Sequence, residues 1–189
     1  MSIKNVKVNP GDTVIITVAK EAPPPTTIEE LDVLLTIGDV QINVNRDKSY
    51  CCFVSDLDIC NDGSGPDYDD PHHQEMTAYC SGGVEGGKYL NADVDHYIVV
   101  PPQIRAKLPG VVLGCRGRVT NLKTQFMREG VVGEIGPDDK TGETAYVLAK
   151  KLNPMIEHNC GDENKDYFYE LWPDVPATHG DFIYRLQPA

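Results

Sequence analysis

Two glutamates bracket the stretch GEIGPDDKTGE (residues 133–143): Glu134 and Glu143, nine positions apart, each directly after a glycine. Paired carboxylates are the working groups of general acid and base chemistry, one giving a proton while the other takes one. Carboxyl groups roughly 5 to 10 Å apart serve hydrolysis of glycosidic bonds, the wider end giving inversion and the narrower end retention. Gly133, Gly136, Pro137 and Gly142 supply the turn-forming backbone by which a loop folds back and aims both side chains into one cleft. A solvated surface turn flanked by acids is the competing reading of the same residues.

The elements that must hold these acids are legible on both sides. Glu134 follows the apolar pair Val131-Val132 and should end a strand. Glu143 opens ETAYVLAKKL, where Ala145, Leu148 and Leu152 share one helical face and Asn153-Pro154 provides a stop, so a helix is expected over 143–152. Further strands are expected at 13–18 (TVIITV), 39–44 (DVQINV), 51–54, 97–100, 111–113, around Val119, and in YFYELWPDVP and DFIYRL. Thr27 with Glu30 three positions on forms a capping-box pattern, which predicts a short helix from there through Leu35. The sum is an α+β, mainly β, single domain: a compact barrel with one prominent helix.

From Asp56 to Gly87 the chain is dense in Asp, Gly, Pro, Asn and His and reads as one long loop region. DLDICNDG within it has the flavour of a calcium loop, but it has one residue too many before Asp-Gly and no glutamate at the twelfth position. Asp56, Asp58 and Asp62 can equally form an acidic wall for ammonium groups, or a structural loop. His72-His73 with Asp69 and Asp70 lack HxH or HExxH spacing, so no metal or other cofactor is assigned. Trp172 with Tyr167, Phe168 and Tyr169 offers aromatic surface for sugar stacking, or one core-facing side of a strand. No GxSxG, P-loop or dinucleotide fingerprint is present.

With 189 residues and a net charge of −12, the chain suits one acidic domain; that charge argues against a nucleic-acid partner and fits a cationic one. No apolar run reaches the ~18 residues of a membrane helix. The start, MSIKNVKVNPGD, lacks the apolar region of a secretory signal, as either a mature exported chain or a cytosolic one would. Six cysteines without CxxC spacing leave both one or two disulfides and free thiols open.

The run VVGEIGPDDKTGETAYVLAKKL resembles the catalytic segment of glycoside hydrolase family 75, the chitosanases. FVSDLDICNDGSGPDYDDPHHQEMTAY and LNADVDHYIVVPPQI resemble that family's Asp-rich loop and following strand, so the likeness spans roughly residues 53–152. It implies a double-psi β-barrel-like core over 46–189, preceded by an N-terminal extension or strand arm over 1–45. It also implies endo-hydrolysis of chitosan, a cationic polysaccharide, outside the cell and with inversion. The family's catalytic aspartate falls on Glu134 and its catalytic glutamate on Glu143; the first is a departure, and one extra methylene moves a carboxylate by about 1.5 Å, a shift to which catalysis is sensitive.

The roles of the pair are open from physics alone. A helix N-terminus favours a charged Glu143, hence a base, whereas burial and a second carboxylate favour a neutral one, hence an acid. The resemblance implies Glu143 as acid and Glu134 as base. The rival class is a non-catalytic structural or carbohydrate-binding module on the same scaffold, self-associating through its N-terminal segment by strand addition.

Overall fold

The computed structural model describes residues 31–188. The expected strand over 13–18 and the start of the expected helix, residues 27–30, lie outside the described residues. The described chain is mainly β, with a closed six-strand barrel and two short helices. Its elements run β1 (Leu31–Ile37), β2 (Val40–Asn45), β3 (Cys51–Cys60), β4 (Tyr97–Val100), α1 (Pro102–Lys107), β5 (Cys115–Asn121), β6 (Met127–Ile135), β7 (Glu143–Ala145), α2 (Tyr146–Leu152), β8 (Asp162–Pro176), β9 (Thr178–His179) and β10 (Phe182–Ile183).

The ring is β3-β7-β4-β6-β5-β8 and back to β3. Closure depends on β8, whose fifteen residues pair antiparallel with β3 on one edge and with β5 on the other. The remaining edge of β3 is divided: Cys51 and Cys52 pair with β2, and Asp58 to Cys60 pair in parallel with β7. A second parallel pair joins β4 to β6. The inside is filled by side chains, including Phe53, Leu57, Tyr97, Ile98, Val119, Tyr169 and Leu171, all at most 1% exposed. Phe53 and Tyr169 stack with ring centroids 4.9 Å apart, so the barrel is a packed core with no lumen, as small barrels require.

Several sequence expectations are corrected. The helix expected through Leu35 is strand β1: LDVLLTI closes a two-residue hairpin onto β2 through Gly38 at φ +57, a turn that β-branched neighbours favour over a helix. Residues 31–45, within the segment assigned from sequence to an N-terminal extension or strand arm, carry two strands of the same sheet, and Ile42 and Val44 lie in the main core. The helix expected over 143–152 begins at Tyr146; Glu143 to Ala145 form β7. Among the described residues no single helix dominates: α2 has seven residues and α1 six. The loop expected from Asp56 begins after Cys60, because β3 extends ten residues and carries Asp56 and Asp58. Leu113 forms only an isolated bridge to Gln187 where a strand was expected.

Trp172 is 4% exposed, on a separate cluster with Tyr50 and Cys52. The guanidiniums of Arg116 and Arg118 lie 4.6 and 5.0 Å from its ring, and Arg118 also forms a two-pronged ion pair with buried Glu170. That indole is committed to packing, which excludes the sugar-stacking reading. All six cysteines are unpaired, with only Cys80 and Cys160 exposed.

One buried hydroxyl ties the barrel wall to the loop between the two glutamates. The Tyr169 O–H points at the carbonyls of Asp56 (3.0 Å) and Gly142 (2.8 Å) from a fully buried position. Tyr169→Phe leaves those acceptors one donor short, and an unsatisfied buried group costs about 1–3 kcal/mol. Urea denaturation should register a loss of that size; a change under about 0.5 kcal/mol, the noise level of surface substitutions, would show the hydroxyl to be idle.

Candidate active site

The two glutamates meet through strand register, although they sit on different strands. Asp58 of β3 is the parallel partner of Glu143 on β7. Ile98 of β4 is the antiparallel partner of Thr144, which sets Val99 beside Glu143. Val99 is in turn paired with Glu134 on β6, past an irregularity between Ile98 and Val99. Asp58, Glu143, Val99 and Glu134 therefore form one row across four neighbouring strands, and all four line a cleft of about 750 Å³. Glu134 and Glu143 lie two strand spacings apart, about 10 Å between backbones, with only the Val99 isopropyl group between them in the row.

The backbone beside Glu143 is over-determined. Gly142 has φ +93, and a Cβ built on it would stand 2.2 Å from an Asp56 carboxylate oxygen and 2.8 Å from the Ser55 hydroxyl. Its carbonyl accepts the Asp58 N–H at 2.7 Å as well as the Tyr169 hydroxyl. Next to it, buried Thr141 shares a 2.9 Å hydrogen bond with the Ser55 hydroxyl. A residue other than glycine at 142 would break this node by strain and by collision.

The environments of the two acids differ. Glu134 accepts the Ala78 N–H at 2.8 Å on one oxygen and the Ile135 N–H at 2.7 Å on the other. Burial pushes its carboxyl above the usual range, nearby Asp62 adds to that, and the two N–H donors counteract it. Glu143 has no such donors: burial drives it up to about 7, Lys140 pulls it down, and the charges of Asp58, Asp62 and Glu134 push it further up. Of the two opposing effects on Glu143, burial is the larger. Glu143 precedes the helix by three residues on a strand, and desolvation outweighs any helix-end effect.

Of the other sequence-assigned residues, Asp58 and Asp62 line the cleft with the glutamates, whereas Asp56 does not. Asp56 lies two steps back along β3, hydrogen-bonded to Ser55 and facing Gly142, so its role is structural. Asp62 accepts the Gln74 N–H at 2.7 Å, and burial raises its carboxyl too. The Asp-rich loop supplies a wall: Asp69, Asp70 and His72 line the cleft, and Tyr68 beside them is clamped against His158, itself sandwiched by Tyr146. His73 turns away, its Nδ1 at the Asn61 carbonyl. Among the described residues no group of three or more His, Cys, Asp or Glu side chains is arranged to hold a metal ion.

Sequence reasoning passed over Lys140 and His158, both lining residues. Lys140 stood inside the opening motif as its one cation among four acids, and that isolation is the signal that could have drawn attention to it. No protein-family model matches the chain, and no curated protein matches it either.

The raised Glu143 value has a measurable consequence for stability. A carboxyl whose folded value lies above its ordinary 4.5 holds its proton longer in the folded state, so stability falls as pH rises from there to about 7. Glu143→Gln keeps the neutral shape and should lose this fall, becoming more stable than the parent at pH 8 by up to about 3 kcal/mol. Denaturation curves of both proteins at several pH values isolate the Glu143 contribution, since Glu134 is common to both. Parallel pH dependences would contradict the assignment.

Proposed function

We propose that the cleft hydrolyses glycosidic bonds within chitosan or a related cationic amino-sugar polymer. The observation that carries the reading is the row Glu143–Val99–Glu134: two carboxyls about two strand spacings apart, one keeping its proton up to about pH 7 and the other supplied with two N–H donors. Pairs whose environments push their ionisation apart divide into acid and base. Glu143 gives its proton to the glycosidic oxygen as the bond to the anomeric carbon breaks. Glu134 takes a proton from a water whose oxygen bonds to that carbon from the opposite face. Glu143 ends as carboxylate and Glu134 as carboxylic acid, and solvent restores both.

The backbone separation favours the wider, inverting arrangement, which leaves room for the water. The six carboxylates lining the cleft against a single lysine support a cationic substrate. The double-psi connectivity implied by the resemblance belongs to the same proposal, and the ring of six strands with parallel pairs β3–β7 and β4–β6 supports it.

Soluble chitosan should be cut with release of reducing ends, and Glu143→Gln should abolish most of that activity while the protein stays folded. Activity should fall as pH rises through about 7, where Glu143 loses its proton, and fall again in acid as Glu134 gains one. Because the Lys140 charge lowers the Glu143 value, Lys140→Met should move the alkaline limb upward. A limb that stays in place belongs to the substrate amines, and full activity of Glu143→Gln would end the hydrolase reading.

A second reading, a non-catalytic module within a larger assembly, draws on β1. Among the described residues this strand pairs only with β2, at the edge of the sheet, and Val33 on it is 58% exposed. Such an edge can accept another strand. Under this reading the chain self-associates and Val33→Lys disperses it, as light scattering would register; a monomer in both forms excludes it.

A further inference from the structure

The inference rests on reading the cleft as a site for amino-sugar polymers and concerns which carboxylate receives the substrate's ammonium group. Asp58 stands directly beside Glu143 in the row, so a group bound to Asp58 lies one strand spacing from the acid. That place is already taken by a cation. The Lys140 ammonium sits 2.7 Å from an Asp58 carboxylate oxygen.

The two partners are held very differently. Asp58 is fixed at the backbone, its N–H bonded to the Gly142 carbonyl, and its side chain is 20% exposed. The Lys140 side chain is 52% exposed, on the loop joining the two glutamates next to buried Thr141. A half-exposed lysine in an ion pair is held weakly and can swing into solvent without disturbing the backbone. It is also the single lysine or arginine lining a cleft that otherwise presents carboxylates.

We propose that Lys140 is a built-in substitute for the substrate's ammonium group, which must be displaced from Asp58 for a glucosamine unit to bind next to Glu143. The contact is a competitive latch. It sets a threshold that a protonated amine can exceed by exchanging one ion pair for another, while an N-acetylated sugar, having no charge to offer Asp58, cannot. Asp58 is then the residue that selects for deacetylated sugar beside the scissile bond, and Lys140 the residue that sharpens the choice.

The test is calorimetric binding of a glucosamine hexasaccharide and of its N-acetylated counterpart, in a Glu143→Gln background so that nothing is hydrolysed. Lys140→Met should tighten the glucosamine oligomer by about two- to fivefold, the worth of a half-exposed ion pair, and leave the acetylated one unchanged. Lys140→Arg, which keeps the charge, should not tighten it. Adding Asp58→Asn to Lys140→Met should cancel the gain, because the exchange then has no acceptor. A gain that survives Asp58→Asn reflects general charge repulsion and overturns the proposal. Weaker or unaltered binding in Lys140→Met overturns it as well, since Lys140 then contacts sugar directly or not at all. Absence of hydrolysis by the parent, together with the expected binding pattern, would remove the enzymatic reading and leave the ammonium site standing; absence of binding in every variant removes the site.

Discussion

The barrel and the cleft both depend on a three-residue strand. β7 is inserted between β3 and β4, parallel to one and antiparallel to the other, and without it the ring has a gap at the row where the carboxylates stand. Its entry is secured at one carbonyl, that of Gly142, which takes the Asp58 N–H from β3 and the Tyr169 hydroxyl from β8. Two strands on either side of the barrel seam thus converge on the residue before Glu143. So short a strand has little pairing energy of its own, and buried hydrogen bonds from side chains must complete it. The same bonds fix the direction in which Glu143 leaves the wall.

From that constraint the electrostatics follow. A strand residue in a barrel wall faces either the packed interior or the outside, and Glu143 faces the cleft from a half-buried position. Three other acids lie close enough to raise its proton affinity, and one lysine opposes them. Burial is the largest contribution, so the neutral state does not rely on one neighbour. Glu134, one strand beyond Val99, receives the same burial but has both oxygens on N–H donors. Two residues of one chemical type are thus set apart by the groups around them: backbone N–H donors at Glu134, and neighbouring charges without such donors at Glu143.

The carboxylates of the cleft were more legible in the sequence than the scaffold that gathers them. Glu134 and Glu143, with Asp58 and Asp62, were visible because acids, glycines and a proline at short spacing are local signals. The start of α2 was misplaced because ETA is compatible with a helical face, and only the pairing with Asp58 to Cys60 makes it a strand. The β1 hairpin was hidden behind a capping-box pattern whose first residues lie outside the described chain. The six residues of α1 are too few for periodicity, though Pro102 at its first position is a recognised start. Ring closure is non-local: Cys51 meets Leu171 and Gly117 meets the same leucine from the other side, and no pattern within a window of the chain encodes that. Asp56 shares the strand period of Asp58, but it sits at an irregularity of β3 between Ser55 and Leu57 and is engaged at the Gly142 node, out of the cleft.

The glutamate at position 134 can now be weighed against the aspartate that the resemblance leads one to expect. Across two strand spacings, about 10 Å, a short side chain leaves its carboxylate close to its own strand. The longer one reaches far enough to take the Ala78 N–H from the loop above the cleft while keeping the Ile135 N–H beside it. The added methylene therefore does more than shift a charge by a bond length: it links the carboxylate to a second segment of backbone, which restrains the extra rotatable bond. A catalytic group must be held to a fraction of an ångström, and flexibility is the usual objection to a longer acid. Here two donors from two segments meet that objection, so a glutamate at this position is compatible with the proposed role of base on geometric grounds. Both oxygens being engaged by backbone donors, the carboxylate is held at its own strand and the Ala78 segment.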